Sequence, residues 1–428
     1  MFSIKSYSQV INGDVDCILE ITADSGEEVV AAPSRKVVGL ILDTSGSMEE
    51  AGERGGSRIA AVRAAAKTAV DLLDAETIFF VVAFASAGHL VIPPTPANAE
   101  AKGHAYALLD RLRASGGTAM SQGLRVALNQ FKRYPQPDTV RYAVFLTDGK
   151  NQSEHESDVI AALRDCQGLF DVDCWGVGTD WKVGEVQLIA RELNGKASLI
   201  PDAEGVAAAF QKAIAKVQAK QIPSVRLRLW HPQSAEIVSV EQCHPTIDDL
   251  TRRAVPVDPH TLEYAIGNWA FGETREYHLT FKTALQPNGQ AAVVVWPRLV
   301  YPTPEGDREL KRPEDRVLVS DDGTLKLDPH VAHYTGQKEL AEAIQVGLQK
   351  RAEGDTDAAT HLLGRAAKLA EETGNEEITV WLRKVVDIVD APTGTVRLKR
   401  NVDAANAMDL EVESTSTRRI ARRPAGGS

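Results

Sequence analysis

Cysteine is scarce in this chain: Cys17, Cys166, Cys174 and Cys243 are the only four in 428 residues. None is spaced as CxxC and no histidine cluster accompanies them, which excludes a disulfide scaffold and a thiolate zinc site. Buried free thiols are the expectation, because a reduced cysteine packs as a small hydrophobe. Long apolar runs are missing too, since no uninterrupted stretch approaches the ~18 residues of a membrane helix. The start, Met1-Phe2-Ser3-Ile4-Lys5-Ser6, has neither the basic region nor the apolar core of an export signal, so a cytoplasmic location with no membrane partner is expected. Positive charge is in deficit: 48 Lys and Arg against 59 Asp and Glu leave a net −11, which argues against nucleic-acid binding and mildly favours divalent cations.

What is present is ordinary globular material, 43% apolar and 25% charged, enough for several cores. At roughly 100–200 residues per domain the length predicts two to four domains. Residues 1–35 hold two short β-like runs, Val15 to Thr22 and Val29 to Ala32. Residues 36–220 alternate β runs (Val37 to Leu42, Thr77 to Phe84, Leu90 to Ile92, Arg141 to Leu146, Val172 to Val177, Ala197 to Ile200) with six amphipathic segments. That alternation predicts an α/β unit, doubly wound around a mostly parallel sheet.

Residues 221–332 change to β alternation with Pro- and Gly-rich turns, the pattern of a small β-sandwich. It is expected to borrow the amino-terminal strands, so that the α/β unit is inserted in the sandwich. Helical periodicity returns in residues 333–390, as Gln337 to Ala352, Thr356 to Thr373 and Glu376 to Val389. A small C-terminal helical module is expected there, one unit of repeat-like hairpin not being an array. Residues 391–428 are polar with no face to bury, and a disordered tail is predicted.

The segment Val37-Val38-Gly39-Leu40-Ile41-Leu42-Asp43-Thr44-Ser45-Gly46-Ser47 carries the most chemistry. A buried strand delivers a carboxylate and two hydroxyls, Asp43, Ser45 and Ser47, at alternating positions. Hard cations take oxygen ligands and keep some water, so this is part of a coordination shell with room for a partner. Any one such fragment also reads as a helix cap or turn. Downstream, Ser115-Gly116-Gly117-Thr118 lies between two helical segments, and Thr147-Asp148-Gly149 follows the strand Tyr142 to Leu146.

In that order these three pieces resemble the metal-ion-dependent adhesion site (MIDAS) of von Willebrand factor A (vWA) domains, a Rossmann-like fold. Cys174-Trp175-Gly176-Val177-Gly178-Thr179-Asp180 resembles the family's fifth strand end. The resemblance covers Lys36 to Lys220, and more loosely the flanks, which look like bacterial multidomain vWA proteins. It implies Ser45, Ser47 and Thr118 touching a Mg²⁺ directly, with Mn²⁺ or Ca²⁺ as alternatives, and Asp43 and Asp148 holding it mainly through coordinated water. A protein partner then supplies Asp or Glu to the metal.

Rival chemistries fit poorly. Gly52-Glu53-Arg54-Gly55-Gly56-Ser57-Arg58 resembles a phosphate loop but lacks the Gly-Lys-Ser/Thr end. Asp43-Thr44-Ser45 has Ser where a phosphoaspartyl enzyme needs a second Asp. His155 reads as a solvated loop residue, and Trp181 as packing or the rim of the site. No enzyme is expected.

The expectation is a non-enzymatic metal-dependent interaction scaffold. The resemblance also implies an association with bacterial kinase/phosphatase or stress-resistance systems, with Thr415 and Thr417 open to a kinase or phosphothreonine reader. The alternative is a regulatory vWA subunit of a MoxR- or chelatase-type ATPase machine. A surface adhesin is disfavoured by the missing signal and disulfides.

Overall fold

The computed structural model describes residues 2–11, 14–24, 35–50, 57–201, 205–283, 289–303, 305–321 and 327–420. The expected run Val29 to Ala32 and most of the glycine-rich stretch 52–58 lie outside them. The chain opens with strands β1 (Phe2–Ile11) and β2 (Asp14–Ala23), an antiparallel pair, and enters the α/β unit through β3 (Lys36–Asp43). That unit continues as α1 (Arg58–Asp71), β4 (Ile78–Phe84), β5 (Gly88–Pro96), α2 (Ala99–Leu109), α3 (Met120–Phe131) and β6 (Val140–Thr147). It closes with α4 (Glu156–Cys166), β7 (Asp171–Val177), α5 (Val183–Glu192), β8 (Ala197–Ile200) and α6 (Gly205–Ala219).

The sheet order is β5-β4-β3-β6-β7-β8, with all pairs parallel except the antiparallel β4/β5 edge. Because side chains alternate along a strand, β3 feeds two cores at once. Val38, Leu40 and Leu42 meet α1, α2 and α6 on one face, while Val37 and Ile41 meet α3, α4 and α5 on the other. A central strand covered on both faces must be apolar throughout, which is why Val37 to Leu42 reads as an unbroken run.

After α6 come β9 (Lys220–Ile222), β10 (Arg226–Trp230), β11 (Ala235–His244), β12 (Asp248–Asp249), β13 (Val255–Asp258) and β14 (Thr261–Ala265). They are followed by β15 (Trp269–Ala270), β16 (Thr274–Thr283), β17 (Ala292–Thr303), β18 (Gly306–Leu310) and β19 (Val317–Val319). One sheet runs β1-β2-β16-β11-β12, and β2 pairs antiparallel with β16 from Thr22↔Thr274 to Asp14↔Lys282. Strands on either side of the α/β unit in sequence therefore share a sheet. The second runs β13-β14-β10-β17-β18, with β19 also on β17. Leu19 and Ile21 of the first and Leu227, Leu229 and Leu299 of the second lie in one buried cluster.

The carboxyl-terminal part contains α7 (Pro329–Ala352), α8 (Thr356–Glu372) and α9 (Glu376–Val385), then β20 (Val386–Asp390), β21 (Thr395–Leu398) and α10 (Ala404–Glu413). Two expectations are corrected here. The third helix stops at Val385 and the chain turns into a hairpin, because Val386, Ile388 and Val389 are β-branched and Gly394, at φ +72°, supplies the turn. The predicted disordered tail is ordered through residue 420. Leu410 packs with Leu340, Ile344 and Leu382 of the helices, and Val412 packs into the α/β core with Val186 and Leu193. Its apolar positions are few but face two cores at once. Residues 421–428 of that predicted tail lie outside the described ones. All four cysteines are buried free thiols, and among the described residues no helix is long and apolar enough to cross a membrane.

Candidate functional site

Three loops meet above the carboxyl ends of β3 and β6. Asp43 is the last residue of β3 and is fully buried. Its Oδ1 accepts from the Ser45 amide at 2.7 Å, and its Oδ2 from the Thr147 hydroxyl at 2.6 Å. Both carboxylate oxygens are thus used to shape the loop and to bind β3 to β6. Backbone bonds fasten the next loop to it: the Gly46 amide donates to Gly116 O at 2.9 Å and the Ser115 amide to Thr44 O at 2.8 Å. Gly116 sits at φ +81°, a conformation open to glycine at no steric cost.

The hydroxyls converge. A methyl carbon placed on Gly149 would stand 3.2 Å from Thr118 Oγ1, 3.4 Å from Ser47 Oγ and 3.9 Å from Ser45 Oγ, so one point beside Gly149 is shared by all three. The Ser47 hydroxyl donates to Asp148 Oδ1 at 2.6 Å, and the Ser45 and Ser47 oxygens are 3.1 Å apart. A hydroxyl has one proton, so with that of Ser47 given to Asp148 the Ser45 hydroxyl donates to Ser47. The structure brings Asp43, Ser45, Ser47, Thr118 and Asp148 together in one place.

Burial dominates the electrostatics. It pushes the Asp43 carboxyl up to about 6, against the hydrogen bonds from Thr147 and Ser45. Burial also raises Asp148, whose side chain is 0% exposed, against Ser47 and Arg58. Arg58 Nη1 donates to Asp148 Oδ2 at 2.9 Å, and Nη2 to Asp180 Oδ2 at 3.1 Å. Glu50 adds a third carboxylate, 3.4 Å from Nη1. Among the described residues no group of three or more His, Cys, Asp or Glu could hold a metal ion. The donor set here is of another kind, hydroxyl oxygens backed by two buried carboxylates. Such a set suits a hard cation that keeps water and an open position.

Two participants escape a reading of the sequence. Thr147 is hidden by its neighbour Asp148, although its place as the last residue of a strand beside β3 is a usable signal. Arg58 follows the glycine-rich stretch and carries no motif of its own. Trp181 is buried rather than at the rim, its Nε1 donating to Gly178 O at 2.9 Å. His155 is an exposed residue at the start of α4, its amide donating to Asp158. Thr417, far from this site, is 9% exposed, and its hydroxyl donates to Cys243 O at 2.6 Å.

The doubly wound sheet, with three polar loops above its central strands, defines the vWA class of α/β domain. The sequence profile of the von Willebrand factor type A domain matches residues 38–151, and that of the von Willebrand factor type A C-terminal domain matches residues 368–414. The structure is similar to von Willebrand factor type A from Catenulispora acidiphila, at 34% identity and TM-score 0.87, covering 98% of this chain and 97% of that one. The chain therefore belongs to the von Willebrand factor type A family, whose domains are generally protein-interaction modules. The ArnB paralog VWA2 from Sulfolobus acidocaldarius, 13% identical with TM-score 0.57 over 97% of this chain and 98% of that one, shares the fold. An uncharacterized Synechocystis sp. protein, sll0103, is 29% identical over 219 residues, 50% of this chain, and the chain spans 49% of its length.

Proposed function

We propose that the chain is a non-enzymatic interaction scaffold of the bacterial multidomain type, acting in the cytoplasm. In this reading a divalent cation, Mg²⁺ first among Mg²⁺, Mn²⁺ and Ca²⁺, is held at the loop cluster. The observation that carries it is the convergence of Ser45, Ser47 and Thr118 hydroxyls on the space beside Gly149, with Asp43 and Asp148 buried behind them. Ser45, Ser47 and Thr118 would hold the ion directly, and Asp43 and Asp148 would fix the hydroxyls and coordinated water. When bound, the ion supplies an open position for an anionic oxygen. Neutral hydroxyl ligands leave its charge largely unquenched, so a partner's Asp or Glu is the fitting group. Arg58 strengthens this by taking up part of the Asp148 charge. The two antiparallel sheets are read as one β-sandwich carrying the inserted vWA unit.

Calorimetric titration with Mg²⁺ tests the reading, together with capture of partners in the presence and absence of Mg²⁺. Ser45→Ala and Asp43→Ala are expected to weaken Mg²⁺ binding at least about tenfold, or ~1.4 kcal/mol, and to remove the Mg²⁺-dependent partners. Unchanged titration and an unchanged captured set in both variants would sink it. An ATPase among those partners would turn the reading toward a MoxR- or chelatase-type subunit. A kinase or phosphothreonine reader at Thr415 and Thr417 stays a proposal that the docked position of Thr417 weighs against, since its hydroxyl is engaged and buried.

A further inference from the structure

The last described residues bind the protein as a peptide binds a receptor. After Val412 none of them belongs to a hydrophobic cluster, and residues 415–419 are held by polar contacts alone. Their backbone runs alongside residues 245–247: the Ile247 amide donates to Thr415 O at 2.8 Å, the Thr417 amide to Pro245 O at 3.0 Å, and Thr246 and Ser416 form an antiparallel bridge. On the other side Gln337 of α7 grips the chain twice, donating to Arg418 O at 2.8 Å and accepting from the Arg418 amide at 2.8 Å. Main-chain pairing with side-chain reading at alternate positions is how extended peptides are recognised at a sheet edge.

Two side chains are read. The Thr417 hydroxyl fills the Cys243 carbonyl. Arg419 reaches into a slot formed by Glu20 of β2 and Glu276 of β16, with Nη2 at 2.6 Å from Glu20 Oε2 and Nε at 2.8 Å from Glu276 Oε1. Those carboxylates lie 399 and 143 residues away in sequence. They are 4% and 1% exposed, and leaving buried carboxylates uncompensated is costly. Lys5 serves Glu20 as well, at 3.2 Å from a mostly exposed side chain. The Tyr334 hydroxyl lies beside Glu276, and burial together with that carboxylate pushes the phenol well above its ordinary range.

We propose that this groove is a peptide-binding site for an extended segment bearing Thr and, two residues on, Arg, and that the chain's own residues 415–419 fill it as an exchangeable occupant. Because α10 is fixed by Leu410 and Val412 while the segment beyond adds no apolar anchor, the segment can leave without unfolding the elements around it. Held on a short tether, it excludes competing peptides by its high effective concentration. A phosphate on Thr417 would remove the hydroxyl proton that the Cys243 carbonyl accepts and set anionic oxygens against that carbonyl, in a site where His244 Nδ1 is 3.3 Å from the hydroxyl, and would keep the segment out.

The test uses the full chain with Arg419→Glu, and separately Thr417→Pro, which removes the amide and hydroxyl that dock. The probe is a labelled peptide with the sequence of residues 413–420, followed by fluorescence polarisation. The opened variants are expected to bind it at least about tenfold more tightly than the unmodified protein. Adding Glu276→Gln to either should abolish the gain, and the peptide phosphorylated at the Thr417 position should bind at least about tenfold more weakly. Failure of folded, opened variants to take the peptide overturns the proposal, as does binding indifferent to Glu276→Gln. Loss of the fold in both variants overturns it as well, since the segment would then be a fixed part of the structure.

Discussion

At the scale of single residues, the absence of a side chain at Gly149 keeps the hydroxyl cluster open. Its φ is not in the left-handed region, so alanine meets no backbone strain there, and the substitution tests space alone. The added carbon would sit 3.2 Å from Thr118 Oγ1 and 3.4 Å from Ser47 Oγ, in the volume a cation and its water need. Gly149→Ala is expected to weaken Mg²⁺ binding at least about tenfold in calorimetric titration. Its melting temperature without Mg²⁺ should stay within about 4 °C of the parent, the shift expected for no more than about 1 kcal/mol. A melting loss much larger than that, with Mg²⁺ affinity unchanged, would assign Gly149 to packing instead. The site residues stand out in the sequence because Asp43 ends an apolar strand with Ser45 and Ser47 just beyond it, Asp148 follows the end of another, and Thr118 stands just before a helix. Arg58 does not stand out, since only the folded loops bring Asp148 and Asp180, 90 and 122 residues away, to its guanidinium.

At the scale of elements, the close of β7 depends on one fit. Trp181 lies against Gly176, and a Cβ on Gly176 would fall 1.8 Å from its Cε2. Neither can yield easily, because Gly176 pairs with Thr147 and Leu199 in the sheet and the indole donates to Gly178 O. Gly176→Ala should therefore lower stability by roughly 1–3 kcal/mol through overpacking, seen as a lower urea midpoint. Trp181→Leu in the same chain should recover part of that loss, and a double variant no better than the single would refute the fit. The central strands are legible in sequence for the reason that makes them central: Val37 to Leu42 and Tyr142 to Leu146 are covered on both faces. Strand β1 is not legible, because Lys5, Ser6 and Ser8 leave it half solvated and its pairing with β2 identifies it only in the fold. The hairpin β20/β21 is hidden behind helical periodicity that runs on past Val385. The order of α10 depends on Leu410 and Val412 finding cores assembled from residues far away in the chain.

At the scale of the whole molecule, buried polar chemistry joins the α/β unit to the antiparallel sheets. Asn268 donates its amide and its side-chain Nδ2 to Asp171 Oδ2, each at 2.8 Å, and Nδ2 also to Arg141 O at 3.1 Å, tying the β14–β15 connection to β6 and β7. Beside it, where the chain leaves α6, Lys220 Nζ lies 2.6 Å from Glu273 Oε2 and Arg275 Nε 2.8 Å from Oε1, with the guanidinium stacked 4.3 Å over Trp269. Burial pushes the Glu273 carboxyl up, but Arg275 and Lys220 outweigh it and hold it at about 2, against an ordinary 4.5. A carboxylate depressed by folding stabilises the fold above its unfolded value, and that contribution is lost as pH falls through the folded value. For Glu273 the window runs from 4.5 down to about 2. Glu273→Gln should thus be less stable than the parent at neutral pH by roughly 2 kcal/mol, the worth of hydrogen bonds to a charged group. Urea unfolding repeated at falling pH should show the two proteins converging within that window, because the parent loses what the variant never had. A gap that stays constant from neutral pH to about pH 2 would mean that the charge of Glu273 does not stabilise the fold, and that the amide replaces it only imperfectly in shape.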